Sequence, residues 1–128
     1  MASRLNNSDS RARFPYLPLY VDDWLSSDAI EAFTLEQQGV YLLLLLRQWK
    51  ARDGLLPKDD ATLARYTRLG ARWRKVGRPV LERCFNERAD GFVNLKLRRL
   101  WEETRERSGK AREAAEERWA RAQKNRAK

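Results

Sequence analysis

Thr34-Leu35-Glu36-Gln37-Gln38-Gly39-Val40-Tyr41-Leu42-Leu43-Leu44-Leu45-Leu46-Arg47-Gln48-Trp49 is the stretch from which the fold is read. Thr34 and Gln37 have the spacing of a capping box, in which hydroxyl and amide satisfy each other's orphan backbone N–H groups. The run behind them is apolar on most faces. A helix of that kind is expected to be central and buried, with Leu43 and Leu46 in the core. Trp49 extends it to about Arg52, where Asp53-Gly54 stops it.

Downstream, Leu55-Leu56-Pro57 is short and extended. Asp59 or Asp60 caps a second helix through Thr62, Leu63, Ala64 and Tyr66, which Leu69-Gly70 closes. Arg72 to Phe85 is expected to be a third helix. Its apolar residues Trp73, Val76, Val80 and Cys84 recur at spacings of three and four, with Leu81 on the flank. At 100° per residue Arg74, Lys75 and Arg78 then fall opposite. Pro79, next to Gly77, predicts a kink. Ala89-Asp90-Gly91 signals a hairpin turn. Val93, Leu95 and Leu97 alternate as in a strand. A helical pattern returns from about Arg98 and becomes a tail rich in Ala, Arg and Glu.

Upstream, residues 1–14 carry no apolar period and are expected to form a basic arm. Arg11 and Arg13 have either a minor-groove role or none. Pro15 and Pro18 hold an apolar entry extended. Asp22 to Phe33 is expected to contain one short helix capped by Ser26 or Ser27.

The order helix, short strand, helix, turn, helix, β-hairpin is that of a winged helix-turn-helix. The expected class is mainly α with a small β-hairpin (α+β), with a C-terminal helical extension. The expected boundaries are 1–14 for the arm, 15–101 for the winged-helix domain and 102–128 for a charged helical tail.

Composition narrows the function. The chain has 128 residues, 27 Lys plus Arg against 18 Asp plus Glu, no His and one Cys. Absence of His excludes His triads, His general bases and His-ligated zinc. The lone Cys84 forms no internal disulfide, reads as a core residue and fits a reducing cytoplasm. No apolar run approaches the roughly 20 residues that span a bilayer, and no secretory leader is read. Neither cofactor nor metal is expected, and the protein is not expected to be an enzyme. Asp22, Asp23, Asp28, Glu31 and Glu36 read as helix caps and first-turn dipole partners, not as a nuclease's metal ligands.

The positive excess is concentrated. Residues 51–100 hold thirteen basic groups against six acidic ones. Between Asp60 and Glu82 there are six cations and no acid: Arg65, Arg68, Arg72, Arg74, Lys75 and Arg78. In a helix-turn-helix this stretch covers the groove-entering element, so these six are candidate DNA contacts. Lys96, Arg98 and Arg99, on and just after the expected wing, are candidate phosphate contacts, or else edge-strand protection. Trp49, Trp73 and Trp101 read as core. Trp24 and Trp119 remain as exposed contacts for bases or a partner helix.

One resemblance joins these segments. Pro15-Tyr16-Leu17-Pro18-Leu19-Tyr20-Val21-Asp22-Asp23-Trp24-Leu25, then Leu35-Glu36-Gln37-Gln38-Gly39-Val40-Tyr41-Leu42, resembles the YdaU-like family of phage- and prophage-encoded proteins. Gly54-Leu55-Leu56-Pro57-Lys58-Asp59-Asp60 and Asp90-Gly91-Phe92-Val93-Asn94 continue it. The tail Lys110 to Trp119 is similar to tails of these and other phage replication proteins. The resemblance implies a winged-helix domain similar to the origin-binding part of phage replication initiators, and no catalytic residues. The expected function is therefore recognition of phage double-stranded DNA in replication initiation or its control. The alternative is an adaptor that recruits replication proteins such as a helicase loader.

Overall fold

The computed structural model describes residues 14–126. The residues expected to form the arm, Arg11 and Arg13 among them, lie outside this range except for Phe14. That residue is buried; its carbonyl accepts the Trp49 indole N–H at 2.8 Å. The fold is mostly helical with one two-stranded antiparallel hairpin, as the expected class has it. The chain divides into two compact units, one ending at Arg98 and one starting at Arg99.

In the first unit, the expected helix between Asp22 and Phe33 is two shorter ones, α1 (Val21–Leu25) and α2 (Asp28–Glu31). Ser27 divides them. Its hydroxyl caps α2 by accepting the Ile30 N–H, a bond that requires non-helical backbone at Ser27 itself. The central helix, α3 (Leu35–Lys50), opens with the capping box of Thr34 and Gln37 as expected. Its buried residues are Val40, Leu44, Leu45, Gln48 and Trp49. Leu46 is exposed and Leu43 only half-buried, which corrects their expected place in the core. Five consecutive leucines sweep more than a full turn, so they cannot share one buried arc. Packing selected the arc around Leu44.

Gln48, a polar residue inside that arc, is 1% exposed. Its Oε1 accepts the Asn94 N–H at 2.8 Å and its Nε2 donates to the Asn94 carbonyl at 3.1 Å. Burial is tolerated because both ends of the amide are satisfied. Gln48→Leu keeps the volume but orphans the Asn94 N–H. It should destabilise the fold by about 1–3 kcal/mol. A urea titration giving wild-type stability would contradict this role.

Asp59 caps α4 (Asp60–Tyr66), accepting the Thr62 N–H at 3.1 Å. Arg68 then takes φ 63° and turns the chain. The expected kinked third helix is a graded one: a 3-10 turn (Gly70–Arg72), a π turn (Trp73–Gly77) and α5 (Arg78–Cys84). Pro79 explains the grading. It has no N–H, and its ring crowds the carbonyl four residues back, so the preceding turn widens. Gly77 fits that turn because an added Cβ would lie 2.2 Å from the Trp73 ring.

The hairpin pairs β1 (Asn86–Arg88) with β2 (Gly91–Val93). Leu56 joins Phe92 in an antiparallel bridge through two bonds of 2.8 and 2.9 Å. The expected strand at Leu95–Leu97 is instead the start of α6 (Leu95–Arg126). Asn94 ends the strand by capping the helix, its Oδ1 accepting the Leu97 N–H at 3.0 Å.

In the second unit the chain is helical through Arg126, and its side chains beyond Gly109 are exposed. Trp101 is buried, as are Trp49 and Trp73, and Arg105 lies over its ring. Among the described residues no helix is long and apolar enough to cross a membrane.

Candidate nucleic-acid interface

The nine candidate cations fall into two groups. Arg72, Arg78, Lys96 and Arg98 are tied to groups of the fold, and Arg74 reaches one of them only at a distance. Arg65, Arg68, Lys75 and Arg99 are exposed, with no ion pair among the described residues.

Asp60 engages two of the first group, Arg78 and Arg74. Standing at the start of α4, it accepts the Trp73 indole N–H at 2.9 Å and the Arg78 guanidinium at 2.7 Å. Arg74 lies 3.8 Å from its other oxygen but remains 85% exposed. Arg78 also bonds Glu82 at 3.2 Å and lies over the Phe92 ring. It is therefore a brace joining α4, α5 and the hairpin. The expected placement of Arg78 opposite Trp73 does not hold, because both reach the same carboxylate. Regular spacing of 100° fails across a π turn, which resets the face.

Arg72 grips Glu36 through two bonds of 2.6 Å, tying the 3-10 turn to the first turn of α3. Lys96 pairs with Asp23 at 2.7 Å. Arg98 donates to the Asp53 carbonyl at 2.6 Å. Lys96, Arg98 and Arg99 lie on α6, not on the wing where Lys96 was expected. The hairpin carries a different exposed cation, Arg88 at the end of β1. Sequence reading passed over it because Asn86-Glu87-Arg88 has no apolar alternation. The adjacent Asp90-Gly91 turn was the available signal.

The acidic residues serve the roles expected of them. Asp22 and Asp23 lie in the first turn of α1, Asp28 and Glu31 in that of α2, Glu36 in that of α3. Trp24 is half-buried and stacks on Tyr41 at 5.4 Å, so it is not the exposed contact expected; Trp119 is exposed. Cys84 is half-buried, and desolvation pushes its thiol pKa up.

Three carboxyls sit below their ordinary range: Asp60 through the bond from Trp73, Glu36 through that from Arg72, Asp59 through that from Thr62. The unfolded chain binds protons more readily at these groups. Their stabilisation is thus complete above the ordinary carboxylate pKa near 4 and is lost as pH falls through the depressed folded values. All are solvent-accessible, so each contributes modestly. Thermal melts from pH 7 to about pH 3 should fall on the acid side only, and less steeply in Asp60→Asn. An equally steep fall in that variant would remove Asp60 from the account.

The family profile described as Protein of unknown function (DUF1376) matches residues 15–102. A curated relative, the uncharacterized protein YdaU of Escherichia coli (strain K12), is 31% identical over 86 residues, or 67% of this chain and 28% of that protein. The chain thus spans less than a third of its relative's length. No solved structure matches it. The profile runs from the proline-bracketed entry through the capping box and the hairpin into the start of α6, and on that extent the chain belongs to the DUF1376 family.

Proposed function

We propose that the chain is a winged helix-turn-helix module that binds duplex DNA, acting in the cytoplasm in the replication initiation of a phage or prophage or in its control. One observation carries the DNA-binding reading. Between Asp60 and Glu82, Arg72 and Arg78 are consumed by Glu36 and Asp60, while Arg65, Arg68 and Lys75 stay exposed with no ion pair among the described residues and Arg74 is largely exposed. Cations that brace the scaffold stand beside cations with nothing to neutralise within the described residues. That division suits a phosphate-binding surface. The bridge between Leu56 and Phe92 adds the short strand that a winged helix places before its second helix, and Arg88 supplies a wing cation. The assignment to replication rests on the resemblance to phage initiators, and no residue is assigned a catalytic role.

Fluorescence anisotropy of the full chain on a labelled duplex, repeated across salt concentrations, tests the reading. Four phosphate contacts predict a slope of about −3.6 in log K against log salt. No binding, or binding indifferent to salt, overturns it. The adaptor reading would then take its place. Its support is the exposed apolar entry of Tyr16, Leu19, Tyr20, Val21 and Leu25, which suits a protein partner.

A further inference from the structure

Beyond the end of α3 the chain turns at Gly54, which takes φ 68°, and the Asp53 carboxylate accepts the Leu55 N–H at 3.2 Å. Leu56 is bonded to Phe92 in the antiparallel bridge, so Leu55 and Pro57 on either side of it follow a fixed path. Tyr66, the last residue of α4, stands on the other side. A cleft of about 210 Å³ lies there, lined by Arg47, Lys50, Ala51, Leu55, Pro57 and Tyr66. None of the nine candidate DNA contacts lines it.

The cleft joins positive charge to an apolar wall. Arg47 is half-buried, with its Cζ 4.2 Å from the centre of the Tyr66 ring, and Lys50 is exposed. Among the described residues neither cation has an ion pair, and no carboxylate lines the cleft. The C-terminal end of α3 contributes roughly half a negative charge, which two cations exceed. That dipole accounts for basic residues in the last turn, but not for a guanidinium laid on an aromatic ring beside a cavity. The contact with Tyr66 orders Arg47 in advance, and its guanidinium N–H groups bond nothing else among the described residues. They are left to grip an oxyanion. Leu55, Pro57 and the Tyr66 ring supply the apolar wall.

We propose that this cleft binds one nucleotide, free or at an unpaired position of a single strand, with its phosphate on Arg47 and Lys50 and its base against Tyr66, Leu55 and Pro57. Bases stack on aromatic rings and on guanidinium planes, and Arg47 over Tyr66 offers the two together. The cleft is smaller than the roughly 300 Å³ of sites that enclose drug-sized ligands, which suits a single nucleotide unit. A carboxylate side chain would use the cations but leave the apolar wall bare. The site goes beyond duplex binding and does not rest on it, because its cations are different ones.

Amide NMR spectra of the full chain, titrated with thymidine monophosphate, test the site. Shifts should gather at Arg47, Lys50, Ala51, Leu55 and Tyr66, with a Kd on the order of 1 mM. Inorganic phosphate and thymidine should each bind at least about tenfold more weakly. Arg47→Gln with Lys50→Gln should lower the affinity at least about tenfold while the thermal melt holds. Lys50→Gln alone, at an exposed position, should still lower it about threefold if loss of Arg47 disturbs Tyr66. Replacing Arg112, Arg118 and Arg121 by Ala should leave it unchanged. Read at the same amides, a short oligothymidylate that binds more tightly than the monophosphate assigns the nucleotide to a strand, and equal binding assigns it to a free nucleotide. Absence of shifts at the cleft, shifts that gather at Arg65, Arg68 and Lys75 instead, or inorganic phosphate binding as tightly as the nucleotide would overturn the site. Tighter binding of N-acetylglutamate would assign the cleft to an acidic peptide and overturn the nucleotide. Each of these failures leaves duplex binding standing.

Discussion

Leu44→Ala should cost about 2–5 kcal/mol of folding stability, and Leu46→Ala, two residues along the same helix, about half a kcal/mol or less. Leu44 is fully buried in the arc that also contains Val40 and Gln48. Truncating it removes apolar surface from the core and leaves a cavity that its neighbours fill only in part. Leu46 lies some 200° around the helix from Leu44 and is 42% exposed. Truncation there opens no cavity. Urea titrations of both variants provide the check. Equal losses would mean that α3 is buried all round, as its composition alone suggests, and would contradict the packing described here.

The largest effect on function is expected from Arg68→Asn, Arg74→Ala and Lys75→Ala combined. All three cations are exposed, and among the described residues only Arg74 has an ion-pair partner, a distant one at 3.8 Å. Asn is used at position 68 because it tolerates the left-handed backbone found there. If each cation neutralises one duplex phosphate, the salt slope flattens by about 2.7, and affinity at about 0.15 M salt falls on the order of 100-fold. The melting temperature should hold. Charge opposition along the sequence would instead have grouped Arg78 with Arg74 and Lys75. Arg78→Ala, however, unmakes the bonds to Asp60 and Glu82 and uncovers the Phe92 ring, so a loss of binding there would be confounded by a loss of fold. The control replaces Arg112, Arg118 and Arg121 in the exposed helical tail, removing the same formal charge. Equal losses in both triples would assign the affinity to net charge and not to the stretch between Asp60 and Glu82.

Local devices were the most legible part of the chain. Thr34 with Gln37, Ser27, Asp59 and the Asp90-Gly91 turn each act over three or four residues. Their hydrogen bonds close in the structure as their spacing implies. Asn94 belongs to the same class but was read as part of a strand. The alternation of Val93, Leu95 and Leu97 competes with the cap, and the cap prevails because it also satisfies the first turn of α6. The tryptophans on regular apolar periods were read correctly as core. Trp24 was not, because its partner, Tyr41, is seventeen positions away on another helix.

By itself, the sequence determined where α3 and α4 begin, where the hairpin turns, and that positive charge gathers between Asp60 and Glu82, since each of these depends on neighbours along the chain. Only the tertiary structure decided which arc of five leucines is buried, that Gln48 is bonded inside that arc, and which of nine cations brace the described fold and which stay exposed. Burial and ion pairing are settled by groups distant in sequence: Glu36 takes Arg72, Asp60 takes Arg78, and Asn94 takes Gln48. The π turn before Pro79 rotates the face of the third helical segment, so no fixed angular step along the chain could have assigned those partners.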